Sequence, residues 1–389
     1  MTEMVYGALP EQAGEPIFPR WWNTIDKWSL SCVVLLFGVG MLLALAASPP
    51  LAARNGLDPF YYVIRQGVFG AAAFVGLLAM TMMSPVLVRR LAVVGFGVAF
   101  LAVAGLPFAG TDFGKGAVRW YSLGFGSVQP SEFLKPAFVV VVAWMMAASQ
   151  EIDGPPGTAI SLAITVVIVV FLALQPDFGQ ASLILFIWGV IYFVAGAPFL
   201  LLGVLAGVTT LGGTLAYSNS EHFARRIDGF LSPEIDPRTQ LGYATNAIQE
   251  GGLLGVGVGE GEVKWSLPDA HTDFIIAVAA EEYGLVLVLF VVSLYAVIVG
   301  RSLIRLMRER DPFIRLAGSG LACILGMQAI INMGVAVRLL PAKGMTLPFV
   351  SYGGSSVIAM GISVGMLLAF TRARPQGEIG DILMARGRG

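Results

Sequence analysis

The chain has 389 residues, of which 56% are hydrophobic and only 13% are charged. A soluble domain carries about 25% charged residues, so this balance and a mean hydropathy of +0.78 exclude a soluble protein and predict a polytopic membrane protein. A net charge of −1 leaves no global basic field for nucleic acid, and two cysteines and two histidines are too few for a disulfide framework or a multi-histidine metal centre.

Residues 1–20 are mixed and polar, with neither a basic n-region nor a small-residue cleavage site, so 1–27 are expected to be a tail rather than a cleaved signal peptide. A bilayer-crossing helix needs about 20 mostly apolar residues. Such runs lie near 28–47, 61–83, 91–109, 133–149, 158–174, 180–197, 199–217, 275–300, 315–337 and 353–370. None shows the period-two alternation of barrel strands. The expected fold is all-α, a polytopic membrane domain (28–370) of about ten transmembrane helices with a short tail (371–389) after it. An even number of crossings puts both tails on one face. Arg20, Lys27, Arg89, Arg90, Arg301, Arg305, Arg308, Arg310, Arg315, Arg372, Arg374, Arg386 and Arg388 fall on that face, which the positive-inside rule makes cytoplasmic.

Most of the other basic residues gather in outer segments 115–135, 225–264 and 338–343. Two readings stand for them: they bind an anionic ligand such as a phosphate or pyrophosphate, or they snorkel at the interface. In 114–136, GKGAVRWYSLGFGSVQPSEFLKP brings Lys115, Arg119, Trp120, Glu132 and Lys135 into one outer region. Trp120 either anchors the interface or stacks on a sugar face. Asp177, in QPDFGQ, marks the outer junction of spans five and six as a turn cap or a functional acid.

Residues 218–274 form the one long polar insertion, an extracytoplasmic loop between spans seven and eight with a helix-like stretch near 240–250. Loops this long are usually functional or disordered, and its aromatic residues predict one folded onto the outer face. Its glycine-rich part, GGLLGVGVGEGE (251–262), lacks the Lys-Ser/Thr of a phosphate loop and reads as a flexible turn. Asp273 follows His271 and Thr272 at the mouth of span eight, as a helix cap or a catalytic carboxylate. Glu281 and Glu282, two turns deeper, must pair with cations or face the bundle interior. Finally, LPAKGMTLPFVSYGGSS (340–356), with Lys343, Ser351 and Tyr352, interrupts an apolar region, and irregular backbone at that depth is tolerated where it lines a polar cavity.

Together GKGAVRW, QPSEFLK, QPDFGQA, the glycine-rich segment, PDAHTDFIIAVAAEEYG and LPAKGMTLPFVSYGGSS resemble the SEDS family (shape, elongation, division and sporulation proteins), over about residues 28–370 and closer to its division branch. Lys115 departs from the family pattern, where many members carry asparagine. The resemblance implies a peptidoglycan glycosyltransferase that polymerises lipid II on the outer leaflet and releases undecaprenyl pyrophosphate. It makes Asp273 the essential carboxylate and general base, with Lys135 as its charge partner. Candidate substrate contacts are Lys115, Arg119, Trp120, Glu132, Asp177, His271, Lys343, Ser351 and Tyr352. Expected partners are lipid II, a class B penicillin-binding transpeptidase of the FtsI type, other divisome membrane proteins and membrane lipids, with no nucleic acid. No cofactor is certain; a divalent cation, Mg or Mn, is the one candidate. The competing functions are a lipid II flippase, which needs a polar path through the bilayer, and a non-catalytic divisome scaffold, which does not need Asp273.

Overall fold

A computed structural model describes residues 17–112, 118–124, 126–219, 221–231, 239–267, 269–341 and 344–373. In chain order it contains α1 (Ile17–Thr24), α2 (Lys27–Arg54), α3 (Tyr61–Thr81), α4 (Pro85–Ala109), β1 (Tyr121–Ser122), β2 (Ser127–Val128), α5 (Pro130–Ala148), α6 (Gly157–Leu174) and α7 (Phe178–Val194). Then follow α8 (Phe199–Asn219), α9 (Glu221–Leu231), α10 (Gln240–Gly251), α11 (Val263–Ser266), α12 (Ile275–Leu306), α13 (Pro312–Ala336) and α14 (Gly354–Phe370). Among the described residues eight helices are long and apolar enough to cross a membrane, and α7 and α14, apolar and 17 residues each, are at the short end of the spanning range. The ten apolar helices fall on the ten expected runs. The largest shift is at α2, which continues through Pro49 and Pro50 to Arg54.

The bundle has a buried centre and a lipid-facing periphery. The apolar windows of α5 and α13 are 72% buried, against 22% for α4 and 0% for α8. Lipid tails are as apolar as leucine, so what holds helices together in hydrocarbon is close packing at small residues rather than apolarity itself. The α3–α14 contact shows this. A Cβ on Gly361 would lie 2.4 Å from the Ala73 carbonyl oxygen, so only glycine lets the two backbones approach so closely.

Each end of the bundle carries its own polar structure. On the loop face, β1 and β2 pair antiparallel and Thr111 bridges Trp120, while the long insertion contains α9, α10 and α11, with α10 on the expected helix-like stretch. On the tail face, both ends of the described chain meet. The buried Arg372 donates from Nε to Thr24 Oγ1 and from Nη1 to the Thr81 carbonyl, both at 3.1 Å, and Ala373 N donates to the Thr24 carbonyl at 3.0 Å. Asp26, 2% exposed, accepts from Arg301 at 3.0 and 3.1 Å and from Ser29 at 3.0 Å, with Arg305 at 3.3 Å. Burial pushes its carboxyl up, but the Arg301 and Ser29 hydrogen bonds and the two guanidinium charges outweigh this and leave it below the ordinary carboxylate range.

Asp26→Asn should lower thermal stability by roughly 1–3 kcal/mol, less than for a fully buried pair because both guanidinium groups are about one-third exposed. A carboxyl whose folded pKa is depressed stabilises above its ordinary value of 3.8, and that stability is lost as pH falls through the lower folded value. Melting curves of the wild type and Asp26→Asn should therefore differ at neutral pH and converge in acid.

Candidate functional site

Two polar clusters occupy the loop face. The first is built where α5 and α7 begin. Lys135, 2% exposed, donates to Glu132 Oε2 at 2.9 Å, and Gln180 Nε2 donates to Glu132 Oε1 at 2.7 Å. Glu132 and Lys135 stand three residues apart on α5, a spacing that puts both on one face. The ammonium that the resemblance pairs with Asp273 is bonded here to Glu132, inside the protein. Asp177 caps α7 through Gln180 N and also accepts from Gln129 Nε2 at 3.4 Å. Burial pushes its carboxyl above the ordinary range, opposed by Arg119 at 3.9 Å. Arg119 itself donates to the carbonyls of Gln175, at 3.2 Å, and Pro176. Its guanidinium braces the α6–α7 turn instead of presenting an open fork to a pyrophosphate.

The second cluster surrounds Asp273. This residue is half-buried in a turn that starts at Asp269, whose carbonyl accepts from Thr272 N and Asp273 N, both at 3.1 Å. It is not the helix cap: that position belongs to Phe274. Asn332 Nδ2 bridges the Asp273 carbonyl at 2.9 Å and the Met345 carbonyl at 2.7 Å, joining the turn to the irregular segment before α14. A Cβ on Gly344 would lie 3.5 Å from Asp273 Oδ2, so this segment runs directly beside the carboxylate. Ser351 is fully buried; its Oγ donates to the Thr272 carbonyl and accepts from Leu347 N. It fastens the turn to the segment before α14.

His271, Tyr62 and Tyr352 form an aromatic patch with ring centroids 5.4–5.7 Å apart, and Tyr352 N donates to the His271 carbonyl at 2.9 Å. Burial raises the Tyr352 phenol, opposed by the nearby charge of Arg65. Tyr62 and Arg65 were missed by sequence reasoning. They lie inside an apolar run, and their one available signal was an unusual Tyr-Tyr-x-x-Arg start to a span. The two clusters are linked through the start of α14: Gln129 N donates to Ser355 Oγ at 3.3 Å, and Thr346 Oγ1 bonds Ser356 Oγ at 2.7 Å. Trp120 is half-buried beside β1. Lys115 and Lys343 lie outside the described residues.

The support beneath Asp273 was not expected. α12 breaks at Gly284 (φ 74°), and the glycine-rich segment, predicted to be a flexible turn, is bonded onto the break. Val256 N donates to the Glu281 carbonyl and Leu285 N to the Gly252 carbonyl, at 2.9 and 3.0 Å. A Cβ on Gly255 would come within 2.2 Å of the Glu282 carbonyl oxygen, so this close approach requires glycine. Glu281 accepts from Val263 N at 2.7 Å, and Glu282 pairs with Lys264; these three side chains are each at most 5% exposed. Arg54 donates to the Trp265 carbonyl and so ties the same segment to α2. Among the described residues no group of three or more His, Cys, Asp or Glu could hold a metal ion, so the described side chains form no ready-made seat for Mg or Mn.

The fold and this arrangement define an integral membrane protein with one polar site at a membrane face. The profile of the family described as "Cell cycle protein" (FtsW, RodA, SpoVE) matches residues 27–376. The probable peptidoglycan glycosyltransferase FtsW of Caulobacter vibrioides is 43% identical over 356 residues, 91% of each chain. That of Halorhodospira halophila is 34% identical over 92% of this chain and 94% of its own. A chain from the structure of a peptidoglycan synthase complex that coordinates polymerization and crosslinking superimposes with a TM-score of 0.74 at 29% identity, covering 90% of this chain and 98% of that one. Rod shape determining protein RodA of Thermus thermophilus gives 0.67 at 27% identity, covering 90% and 97%. The chain belongs to the SEDS family.

The Lys264–Glu282 pair should behave as a buried unit. Lys264→Ala leaves a carboxylate without its counter-charge and should cost about 3–5 kcal/mol. Lys264→Met with Glu282→Gln should recover most of that loss, because neither partner is then charged. A double-mutant cycle on thermal unfolding in detergent checks this, and strictly additive losses would show the two side chains to be independent.

Proposed function

We propose that this chain is a peptidoglycan glycosyltransferase that polymerises lipid II into glycan strands at the outer face of the cytoplasmic membrane during septal wall synthesis. The observation that carries the chemistry is the placement of Asp273: a carboxylate at the rim of the loop face, its backbone fixed by Asn332 and its oxygen beside Gly344. In this reading the loop face is extracytoplasmic, both tails are cytoplasmic, and the chain works with a class B penicillin-binding transpeptidase and other divisome membrane proteins. Residues 28–370 make up the catalytic membrane domain, with 218–274 as its outer insertion.

The reaction needs a base and a cationic receiver, but no nucleotide, because the pyrophosphate leaving group carries the driving energy. Asp273 takes the proton of the acceptor hydroxyl. The hydroxyl oxygen bonds to the donor's anomeric carbon as the bond from that carbon to the pyrophosphate oxygen breaks, and the electron pair departs on undecaprenyl pyrophosphate. In this reading Arg65, whose charge acts on Tyr352, meets the developing charge together with Lys115 and Lys343. Tyr62, His271 and Tyr352 offer rings against which the sugars pack, with Trp120 on the opposite loop. The buried residues Glu132, Lys135 and Asp177, with the half-buried Arg119, hold the starts of α5 and α7 in place. A divalent cation bound with the substrate would add charge to the pyrophosphate.

General-base assistance is worth about 10²–10⁴-fold, so Asp273→Asn should lower glycan synthesis by at least about two orders of magnitude. The assay is purified protein with its transpeptidase in liposomes supplied with lipid II, the product being read as glycan strands. Near wild-type synthesis by Asp273→Asn would overturn the base assignment. Synthesis by neither protein, accompanied by translocation of labelled lipid II, would favour a flippase instead.

A further inference from the structure

The tail face contains a cavity that the transfer chemistry does not use. Its volume is about 400 Å³, and it lies between the start of α4, the end of α5 and the start of α13. Arg89 sits in its wall with the guanidinium carbon 5.1 Å from the Trp144 ring centroid and 5.6 Å from that of Phe313. Aromatic rings hold a guanidinium by its face and leave the N–H edge for a ligand. Among the described residues no hydrogen bond or ion pair occupies that edge.

The helix starts around the cavity offer few other donors. Asp311 Oδ1 accepts from Phe313 N and Ile314 N at 2.9 and 3.3 Å, Ser84 Oγ accepts from Leu87 N at 3.3 Å, and Pro85 and Pro312 have no N–H. An anion here is therefore met by Arg89. The same cavity is lined by Glu151 and Asp311, both exposed. One guanidinium and two carboxylates repel a multiply charged anion but suit a ligand with a phosphate and an ammonium a few bonds apart. Val86 and Trp144, 38% and 37% exposed, extend the wall into apolar surface. A soluble ligand has no use for that extension; acyl chains do.

We propose that this cavity binds the headgroup of a zwitterionic phospholipid with a primary amine, its phosphate on Arg89 and its ammonium between Glu151 and Asp311. A guanidinium grips phosphate with two parallel N–H donors, and a primary ammonium carries three donors for carboxylates. A quaternary ammonium has none, and a glycerol headgroup has no positive charge. The site is thus selective for phosphatidylethanolamine over phosphatidylcholine and phosphatidylglycerol, and this selectivity is independent of the glycosyltransferase reading.

The test is native mass spectrometry of the purified full chain in detergent, titrated with the three phospholipids carrying identical acyl chains. Phosphatidylethanolamine should bind about tenfold more tightly than the other two, the difference made by one set of charge-assisted hydrogen bonds. Arg89→Lys keeps the charge and the aromatic contacts but loses the planar fork, and should bind phosphatidylethanolamine about tenfold more weakly. Glu151→Gln, a change at an exposed residue that leaves the fold intact, should bring phosphatidylethanolamine down toward phosphatidylcholine. Equal binding of all three lipids by the wild type, or unchanged preference in Glu151→Gln, overturns the proposal. Displacement of the lipid by millimolar inorganic phosphate would make this a soluble-anion site and overturn it too.

Discussion

In hydrocarbon, a backbone N–H or C=O left outside a helix has no water to turn to, so it must find a partner within the protein. The loop face is organised by that constraint. Where α12 breaks at Gly284, residues 252–256 supply the missing donors and acceptors. Where the chain leaves helical geometry before α14, Asn332 and Ser351 close the exposed carbonyls of Asp273, Met345 and Thr272. The second set of repairs also places the carboxylate of Asp273, because Asn332 and Ser351 join its turn to the segment at Gly344. The site is what the chain makes in satisfying its own backbone.

Charge follows the same logic. Buried ions are costly unless paired, and the pairs here are mostly internal: Glu132 with Lys135, Lys264 with Glu282, Asp177 with Arg119. Each joins separate pieces of backbone or clamps the first turn of a helix. Most of the motif charges therefore serve as scaffold, and the groups open to a substrate are a minority among them.

The spans were legible because about 20 apolar residues in a row are what a bilayer demands, and the ten apolar helices coincide with the runs read from hydropathy. Asp273 was legible because a carboxylate at a span mouth needs an explanation. The partner of Lys135 was legible too, in the Glu-x-x-Lys spacing, but the family resemblance drew attention to a more distant acid. Arg119 was not legible: its acceptors are carbonyls on another loop, which leave no trace in side-chain identity. Nor was the role of residues 251–262. Glycines that bend freely and glycines that must admit another backbone look alike until the neighbour at Glu282 is seen.

No residue of α8 is fully buried; only Leu201, Leu202 and Leu205, near its start, pack against the core. A span that packs so loosely takes its tilt from the solvent around it, and here the solvent is lipid. Its 21 residues are about 32 Å long, close to the hydrocarbon thickness of an ordinary bilayer. A thicker membrane draws such a helix upright and a thinner one tips it over, at fractions of a kcal/mol per ångström of mismatch. Since α8 runs into α9 and the insertion above, the thickness of the surrounding bilayer becomes a mechanical input to the synthetic face.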